Sequence, residues 1–281
     1  MNKPKKKLSS NKKEVLRIDN LQQYFTSGSG VLKRGYTVKA VDGVSLHVTQ
    51  GETLGLVGES GCGKSTLGRT ILKLYQPTGG KIFFEGTEIT DYSVKQMRPL
   101  RKDMQIIFQD PLESLNQRHT VGKIIEEPFI IHGIGNKVER RQWVKELIKK
   151  VGLTPESIER YPHEFSGGQR QRIGIARAIA LKPKLLICDE SVSALDVSVQ
   201  AQILDLLLQL QQEMDLAMIF ISHDLSVVRH ISDRVAVMYF GKVVEYGSVN
   251  QIFQQPENAY TKKLLAAIPV SHPKYRKRKT N

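Results

Sequence analysis

The apolar run Thr53-Leu54-Gly55-Leu56-Val57 leads directly into Gly58-Glu59-Ser60-Gly61-Cys62-Gly63-Lys64-Ser65, and this stretch decides the fold. A short apolar run that ends at a glycine indicates a buried strand, and we expect a helix to begin near Lys64. A loop of small residues ahead of a helix can turn its backbone N–H groups inward, which is the arrangement that binds phosphate groups. The spacing therefore predicts a phosphate-binding loop between a strand and a helix.

The residues of this loop have expected roles in nucleotide binding. Gly58, Gly61 and Gly63 permit the backbone to wrap, Lys64 reaches the β and γ phosphates, and the Ser65 hydroxyl takes a place on Mg²⁺. The loop therefore predicts binding of a nucleoside triphosphate together with Mg²⁺. The residues predicted to contact the nucleotide here are Gly58, Glu59, Ser60, Gly61, Cys62, Gly63, Lys64, Ser65 and Thr66.

Patterns of buried strands alternate with helical patterns along the chain. The predicted strands are 15–18, 43–48, 53–57, 81–85, 104–108, 185–188 and 217–221. The predicted helices are 121–131, 137–151, 169–181 and 199–212. Glycines between 28 and 35 predict a loop or hairpin excursion. This alternation predicts an α/β fold with a doubly wound, mostly parallel sheet.

Length and composition fit one large domain, or a core with an inserted subdomain. The chain has 281 residues, with 40% hydrophobic and 25% charged residues, as in ordinary globular proteins. No apolar run approaches the roughly 18 to 20 residues that cross a bilayer, and the first residues lack the apolar stretch of a secretory signal. We therefore expect the chain to stay in the cytoplasm. Its two cysteines support neither a disulfide framework nor a cysteine-rich metal site.

The net charge of +14 has three explanations. Much of the excess lies in two basic tails, predicted at 1–14 and 270–281, which are expected to be solvated. A basic surface also suits docking beneath an anionic membrane leaflet, where each Lys or Arg near the surface contributes about 1 kcal/mol. Nucleic-acid binding is the third explanation, but no nucleic-acid partner is predicted.

Two carboxylates follow the apolar run Leu185-Leu186-Ile187-Cys188. Asp189 should emerge at the strand tip, where it can hold Mg²⁺ through water. Glu190 comes next and is the predicted general base that polarises the attacking water. These positions predict a catalytic centre for phosphate-bond hydrolysis at the strand end.

A further motif, Phe165-Ser166-Gly167-Gly168-Gln169, lies between the phosphate loop and the acidic strand end. In this order the motifs resemble those of the ATP-binding subunits of ABC transporters, although Phe165 replaces the usual Leu. The resemblance covers about residues 15 to 269. It implies an ATPase domain over 15–269, with a RecA-like P-loop core (15–109 and 171–269), an antiparallel β edge and an inserted α-helical subdomain (110–170).

The resemblance also implies roles for residues outside the loop. His223 matches the switch histidine that contacts the γ-phosphate, and Gln109 matches the Q-loop residue that senses Mg²⁺ and water. Asp196, in Ser193-Ala194-Leu195-Asp196, matches the D-loop and is expected to organise the water site of an opposing subunit. The signature residues Ser166, Gly167, Gly168 and Gln169 are expected to bind the γ-phosphate of ATP held by a partner. A head-to-tail dimer that sandwiches two ATP molecules follows from this assignment.

An aromatic residue at the end of the first strand commonly stacks on adenine in this family. Tyr24 is the predicted residue, Phe25 is the second choice, and Tyr36 is a third. The extra residues between Gly28 and Gly35 blur the register, so the choice stays open.

Several stretches resemble the oligopeptide and dipeptide importers of the family. They are Ala40–Leu46, Phe108–Pro111 with Ser114-Leu115-Asn116, Met238–Glu245 and Pro256–Leu265. The resemblance implies a peripheral subunit at the cytoplasmic face of the membrane, with a second, different ATPase, two transmembrane permease subunits and an extracytoplasmic binding protein as partners. This chain lacks the C-terminal cysteines that carry an iron-sulfur cluster in one of the two ATPases.

Three other functions are weighed against peptide import. Nickel and related metal-chelate importers share the same subunit pattern. A soluble ABC ATPase acting on DNA or ribosomes would usually carry two ATPase units or a long coiled-coil insertion, and neither pattern is visible in the sequence. A regulatory subunit with a degenerate site is disfavoured because Glu190 and the signature residues are intact.

Overall fold

The computed structural model describes residues 12–27, 36–110, 114–193 and 195–267. Most of the basic N-terminal tail, the C-terminal tail, the excursion at 28–35, Pro111 of the Q-loop motif and Ala194 of the D-loop motif lie outside the described residues. Within the described ranges, no helix is long and apolar enough to cross a membrane.

Two sheets form the frame of the molecule. The strands are β1 (Glu14–Ser27), β2 (Tyr36–Thr49), β3 (Thr53–Val57), β4 (Gly79–Phe84), β5 (Thr87–Glu88), β6 (Met104–Ile107), β7 (Leu185–Asp189), β8 (Ala217–Ile221), β9 (Arg234–Tyr239) and β10 (Lys242–Ser248). A six-stranded sheet has the order β10-β9-β3-β8-β7-β6, and a four-stranded sheet has the order β2-β1-β4-β5. The larger sheet is parallel except for the β9–β10 pair, and the smaller one is antiparallel.

Helices connect and cover these strands. They are α1 (Lys64–Ile71), α2 (Val94–Met97), α3 (Val121–Ile131), α4 (Lys137–Lys150), α5 (Gly167–Ile179), α6 (Val197–Met214), α7 (Leu225–Ile231), α8 (Val249–Gln254) and α9 (Ala259–Ala266). Short 3-10 turns lie at Leu100–Lys102, Pro155–Glu159 and Pro162–Glu164. The predicted combination of a P-loop core, an antiparallel β edge and additional helices is confirmed.

The central strands are buried on both faces, which explains their unbroken apolar sequences. In β8, Ile219 packs in one hydrophobic core with Leu54 and Ile187, whereas the next residue, Phe220, packs in a second core with Cys188. Successive side chains of a strand point to opposite faces, so one short apolar run supplies both cores. The doubly wound arrangement predicted from the alternation is therefore confirmed.

The first two strands are longer than the sequence pattern predicted. β1 and β2 each contain 14 residues and pair from Glu14 with Thr49 to Ser27 with Tyr36. The predicted strands at 15–18 and 43–48 were too short because the pairing shifts register after Ile18, Leu21 and Gln23. The shift after Ile18 interrupts the alternation on which the prediction depended, because two less buried residues separate Ile18 from Leu21, the next buried residue.

Helices α3 and α4 lie between β6 and α5 in the chain. Val121, Ile124 and Ile125 of α3 and Val144 and Ile148 of α4 are buried in the core that also contains α5. The predicted amphipathic face of α4 is thus buried, with Leu147 packed partly against it. The boundaries assigned to the helical insert, 110 and 170, remain a prediction.

Candidate nucleotide-binding site

The phosphate-binding loop connects the buried strand β3 to α1 and lines a cavity of about 680 Å³. The loop contributes residues 60–63 and the start of α1 contributes Lys64, Ser65 and Thr66. The helix begins at Lys64, as predicted, and is preceded by Gly63, which has no side chain to cap it. The first N–H groups of α1 are therefore available to an anion at the positive end of the helix dipole.

Glycine is required at two positions of the loop because the backbone of a neighbouring strand approaches each of them closely. Gly63 has φ 108°, and a Cβ atom there would overlap the carbonyl oxygen of Ala40 in β2. Gly58 has φ 153°, and a Cβ atom there would overlap the carbonyl oxygen of Met238 in β9. The backbone of the loop therefore packs directly against two strands, which holds its curvature.

Lys64 is buried within the loop that precedes it. Its side chain is 3% exposed, and its Nζ atom donates hydrogen bonds of 2.9 Å to the carbonyl oxygens of Gly58 and Glu59. Cys62 is also buried, and burial raises the pKa of its thiol. The ammonium group is thus fixed at the cavity wall, with its positive charge beside the free N–H groups of α1.

Ser65 and Asp189 meet at the inner end of the cavity. The Ser65 hydroxyl donates a 2.7 Å hydrogen bond to Oδ1 of Asp189, whose side chain is 1% exposed. Oδ2 of Asp189 accepts no hydrogen bond from the described part of the chain and lies 3.8 Å from the guanidinium of Arg69. Burial raises the pKa of Asp189. A hydroxyl and an under-coordinated carboxylate are the hard oxygen donors that Mg²⁺ prefers, so these residues fit that ion.

Glu190 follows β7 in the left-handed conformation, with φ 47°. Its N–H group donates to the carbonyl of Ile221 at 3.1 Å, which fixes the turn. Its Oε2 atom lies 3.4 Å from Nε2 of Gln109 and 3.4 Å from Nδ1 of His223. A left-handed residue other than glycine is strained and is enriched at functional sites. The three predicted catalytic side chains therefore lie together.

The structure places the three residues considered for adenine stacking in different surroundings. Phe25 lines the cavity, and its ring packs edge-on against Tyr75, with 5.5 Å between the ring centroids. The side chain of Tyr24, which was the first choice, instead donates a hydrogen bond from its hydroxyl to Asp42. Adjacent strand residues face opposite sides, so only one of the two can face the cavity. Tyr36 is 66% exposed and does not belong to the described lining.

The signature residues form the start of α5, away from the cavity. Ser166 caps α5, because its hydroxyl accepts from the N–H of Gln169, and the Gln169 side chain accepts from the N–H of Ser166 at 3.0 Å. The helix therefore begins at Gly167, two residues before the predicted start. Of the described residues that line the cavity, none belongs to this motif.

Asp196 caps the start of α6, as Ser166 caps the start of α5. Its carboxylate accepts from the N–H of Val199 at 3.0 Å and from the Ser198 hydroxyl at 2.7 Å, and the hydrogen bonds lower its pKa. A Cβ atom on Gly168 would overlap the side chain of Val199. The signature motif and the Asp196 turn thus pack against each other and form one surface.

Sequence reasoning missed part of the cavity wall. Thr37, Val38, Lys39 and Ala40 of β2 line the cavity, as do Phe240 and Gly241 in the turn between β9 and β10. Phe240 is 75% exposed and has φ 41°. The sequence shows an aromatic residue followed by a glycine, which indicates a turn, but nothing local indicates that this turn reaches the phosphate loop.

Comparison with known proteins decides the family. The sequence model described as "ABC transporter" matches residues 41–193, which is more than half of the chain. This chain belongs to the ABC transporter ATP-binding family. It is accordingly an ABC-type ATPase that binds ATP, and the resemblance stated from the motifs is confirmed.

Relatives of this ABC ATPase include importer subunits. The chain is 53% identical to the oligopeptide transport ATP-binding protein AppF of Bacillus subtilis, over 94% of this chain and 80% of that protein. It is 51% identical to the oligopeptide transport ATP-binding protein OppF of Escherichia coli, over 97% and 83%. It is also 50% identical to the glutathione import ATP-binding protein GsiA of Pectobacterium atrosepticum, over 99% of this chain and 45% of that protein.

Solved structures share the fold of this ABC ATPase. The dimeric, post-hydrolysis structure of the ATP-binding cassette MJ0796 with ADP and Pi has a TM-score of 0.74 at 28% identity, covering 83% of this chain and 98% of that one. The structure of cbiO1 from Clostridium perfringens, part of a cbiONQ transporter complex, has a TM-score of 0.75 at 28% identity, covering 92% and 96%.

Proposed function

We propose that this chain is the ATP-hydrolysing subunit of an importer that takes up oligopeptides. One observation supports the catalytic part most directly: Oε2 of Glu190 faces both Gln109 and His223, at the strand end beside the Ser65–Asp189 pair. The substrate class is supported by the relatives named for oligopeptide transport. The relative named for glutathione import indicates that short peptides also belong to the candidate substrates.

Binding of the nucleotide and of Mg²⁺ is assigned to three groups of residues. The loop from Gly58 to Thr66 surrounds the phosphates, with the Lys64 ammonium and the N–H groups at the start of α1 balancing their negative charge. Phe25 takes the role first predicted for Tyr24 and stacks on adenine, since its ring lines the cavity. Ser65 and Asp189, with Gln109, are the residues that would hold Mg²⁺, which would neutralise charge on the phosphate oxygens.

Hydrolysis is assigned to the three side chains at the carboxyl ends of β6, β7 and β8. Glu190 accepts the proton of the attacking water as general base. Gln109 and His223 orient its carboxylate from two sides, and His223 contacts the γ-phosphate. Because these groups come from adjacent parallel strands, the core sheet fixes their spacing.

A head-to-tail dimer completes the site. The signature residues and Asp196 contact ATP held by a second subunit, a role supported by their position on one surface of the chain outside its own cavity. The MJ0796 relative of known structure is dimeric, which supports this arrangement. We propose that closing and reopening of the dimer drives two transmembrane permease subunits, with a second ATPase and an extracytoplasmic peptide-binding protein as further partners, at the cytoplasmic face of the membrane.

The partners can be tested by affinity purification from gently solubilised native membranes, followed by mass spectrometry. Two transmembrane proteins, a second ATPase and a peptide-binding protein in the eluate are expected. Ribosomal proteins, DNA or an absence of membrane proteins would contradict the importer. The Lys64→Ala variant serves as a control, because it should lose ATP binding but keep its partners.

The transported substrate can be tested by uptake of a radiolabelled tripeptide in cells that lack the chain. Wild-type chain should restore uptake and Glu190→Gln should not, whereas Glu213→Gln, which changes a surface partner of Lys150, should match the wild type. Competition by unlabelled dipeptide, longer peptide, glutathione or a nickel chelate then ranks the substrates. Uptake that only the chelate suppresses would overturn the assignment to peptides.

A further inference from the structure

The C-terminal helix α9 is anchored beside the phosphate loop. The Glu245 carboxylate on β10 accepts hydrogen bonds from the N–H groups of Glu257, at 2.8 Å, and Asn258, at 3.2 Å. The Asn258 side chain caps α9 by accepting from the N–H of Tyr260 at 2.8 Å. These contacts fix the first turn of the helix, and therefore the side chain of Tyr260, relative to the sheet.

Tyr260 reaches the phosphate loop directly. Its hydroxyl oxygen accepts a hydrogen bond from the backbone N–H of Glu59 at 3.1 Å. Its ring packs on Tyr239, with 4.0 Å between the centroids, and Tyr239 packs edge-on against Phe240, which lines the cavity. A row of three aromatic rings thus connects α9 to the cavity wall.

The hydrogen bond from Tyr260 acts on a peptide unit that also holds Lys64. The peptide between Gly58 and Glu59 presents its carbonyl oxygen to Nζ of Lys64, at 2.9 Å, and its N–H group to Tyr260. The two groups of a trans peptide point in opposite directions, so both bonds fix the same orientation of the peptide plane. Rotation of this plane would remove an acceptor from Lys64 and turn the carbonyl dipole of Gly58.

The end of the loop near Cys62 is held by the turn between β9 and β10. The N–H of Gly241, in the β9–β10 turn, donates to the carbonyl of Cys62 at 2.9 Å. Gly58 itself packs on the backbone of Met238. The C-terminal strands and α9 therefore supply contacts at both ends of the loop, and Tyr260 contributes a side-chain hydrogen bond to them.

We infer that Tyr260 is a positioning residue for the ATP site, which holds the Gly58–Glu59 peptide in the orientation that places the Lys64 ammonium. This inference rests on the proposed nucleotide site. Pre-organisation of a binding loop lowers the cost of ordering it when the ligand binds, so loss of the hydroxyl should weaken nucleotide binding.

The test compares two tyrosine variants of the full-length chain. Tyr260→Phe keeps the ring stack and removes only the acceptor. Tyr246→Phe is the matched control, because Tyr246 is half-buried and its hydroxyl bonds to a backbone carbonyl, that of His47, outside the loop. Isothermal titration with MgADP should give about fivefold weaker binding for Tyr260→Phe, the effect of one neutral hydrogen bond, and a change below about twofold for Tyr246→Phe.

A second measurement separates positioning from a general loosening of the C-terminal helix. Hydrogen exchange in the nucleotide-free protein should become faster in peptides that cover 58–65 in Tyr260→Phe, with no change in peptides that cover α9. Unchanged MgADP affinity, an equal loss in Tyr246→Phe, or faster exchange throughout α9 would each overturn the inference.

The Lys64→Ala variant distinguishes this inference from the proposed function. If Lys64→Ala loses MgADP binding while Tyr260→Phe binds like the wild type, the role of Tyr260 is wrong and the nucleotide site stands. If Lys64→Ala itself binds MgADP normally, the phosphate site is wrong and the inference falls with it.

Discussion

Nδ1 of His223 lies 3.4 Å from Oε2 of Glu190. The same oxygen lies 3.4 Å from Nε2 of Gln109, so one carboxylate oxygen is approached from two sides. The three residues follow the neighbouring strands β6, β7 and β8, whose carboxyl ends meet at one edge of the sheet. The arrangement orients the carboxylate before any substrate is bound, as expected of a general base that aligns a water molecule.

Replacement of this carboxylate should separate ATP binding from hydrolysis. Glu190→Gln keeps the shape of the side chain but cannot accept a proton, so we expect hydrolysis to fall about a hundredfold or more with ATP affinity within about twofold. The variant should also accumulate as an ATP-bound closed dimer, which size-exclusion chromatography with ATP would detect. The control is Glu213→Gln, an exposed position that should retain activity. Turnover near that of the wild type in Glu190→Gln would refute the assignment of the base.

The adenine contact should depend on Phe25 and not on Tyr24. Phe25→Ala removes the ring that lines the cavity, and we expect ATP to bind about tenfold more weakly, because stacking of a base on an aromatic ring contributes roughly 1 to 3 kcal/mol. Tyr24→Ala removes the other ring together with the hydroxyl that bonds to Asp42, and it should change the affinity less than about twofold. Titration of both variants with ATP checks this, and the reverse order of effects would assign the stacking to Tyr24.

The positions of Tyr24 and Phe25 show which information the sequence lacks. The phosphate loop, the pair Asp189–Glu190 and the parallel core were predictable because each depends on a short local pattern. Which side of the sheet each of Tyr24 and Phe25 faces depends on the register shift between Gln23 and Tyr24. Only the pairing of β1 with β2 reveals this shift. A one-residue shift exchanges the two faces of a strand, so no count from the strand ends could decide the matter.

Contacts between distant parts of the chain were equally hidden. Phe240 and Gly241 line the cavity although they lie far from the loop in sequence, since β9 pairs with β3 in the sheet. Tyr260 reaches Glu59 across a similar separation along the chain. Local sequence patterns predict the strand, turn or helix in which these residues lie, but only the fold shows which distant residues they contact.

Two glycines of the loop should tolerate alanine differently. Gly61 has φ 78°, but no neighbouring atom lies within 4 Å of the place that a Cβ would occupy, so Gly61→Ala should lower the free energy of unfolding only by about 1 kcal/mol from backbone strain. Gly63→Ala adds an overlap with the backbone of Ala40 and should cost at least about 2 kcal/mol more. Urea unfolding of the nucleotide-free variants measures both values. Equal losses of unfolding free energy in Gly61→Ala and Gly63→Ala would show that Gly63 does not pack closely against the backbone of β2.

A buried ion pair should support the strand that carries the loop. Glu52 lies directly before β3 and is 2% exposed. Burial alone would raise the pKa of its carboxyl group. Hydrogen bonds from Arg234 and Thr49 outweigh burial and lower this pKa below its ordinary value of 4.5. Glu52→Gln leaves Arg234 without its counter-charge and should lower the free energy of unfolding by about 3 kcal/mol at pH 7. Because the folded pKa is the lower one, this stabilisation is complete above about pH 4.5 and is lost as the pH falls further. The difference in the free energy of unfolding between wild type and Glu52→Gln, measured by urea unfolding, should therefore become smaller toward pH 3. The control is Glu88→Gln, at the exposed partner of Lys81, which should change the free energy of unfolding by no more than about 0.5 kcal/mol. A difference that stays constant down to pH 3 would show that the charge of Glu52 is not what stabilises the strand.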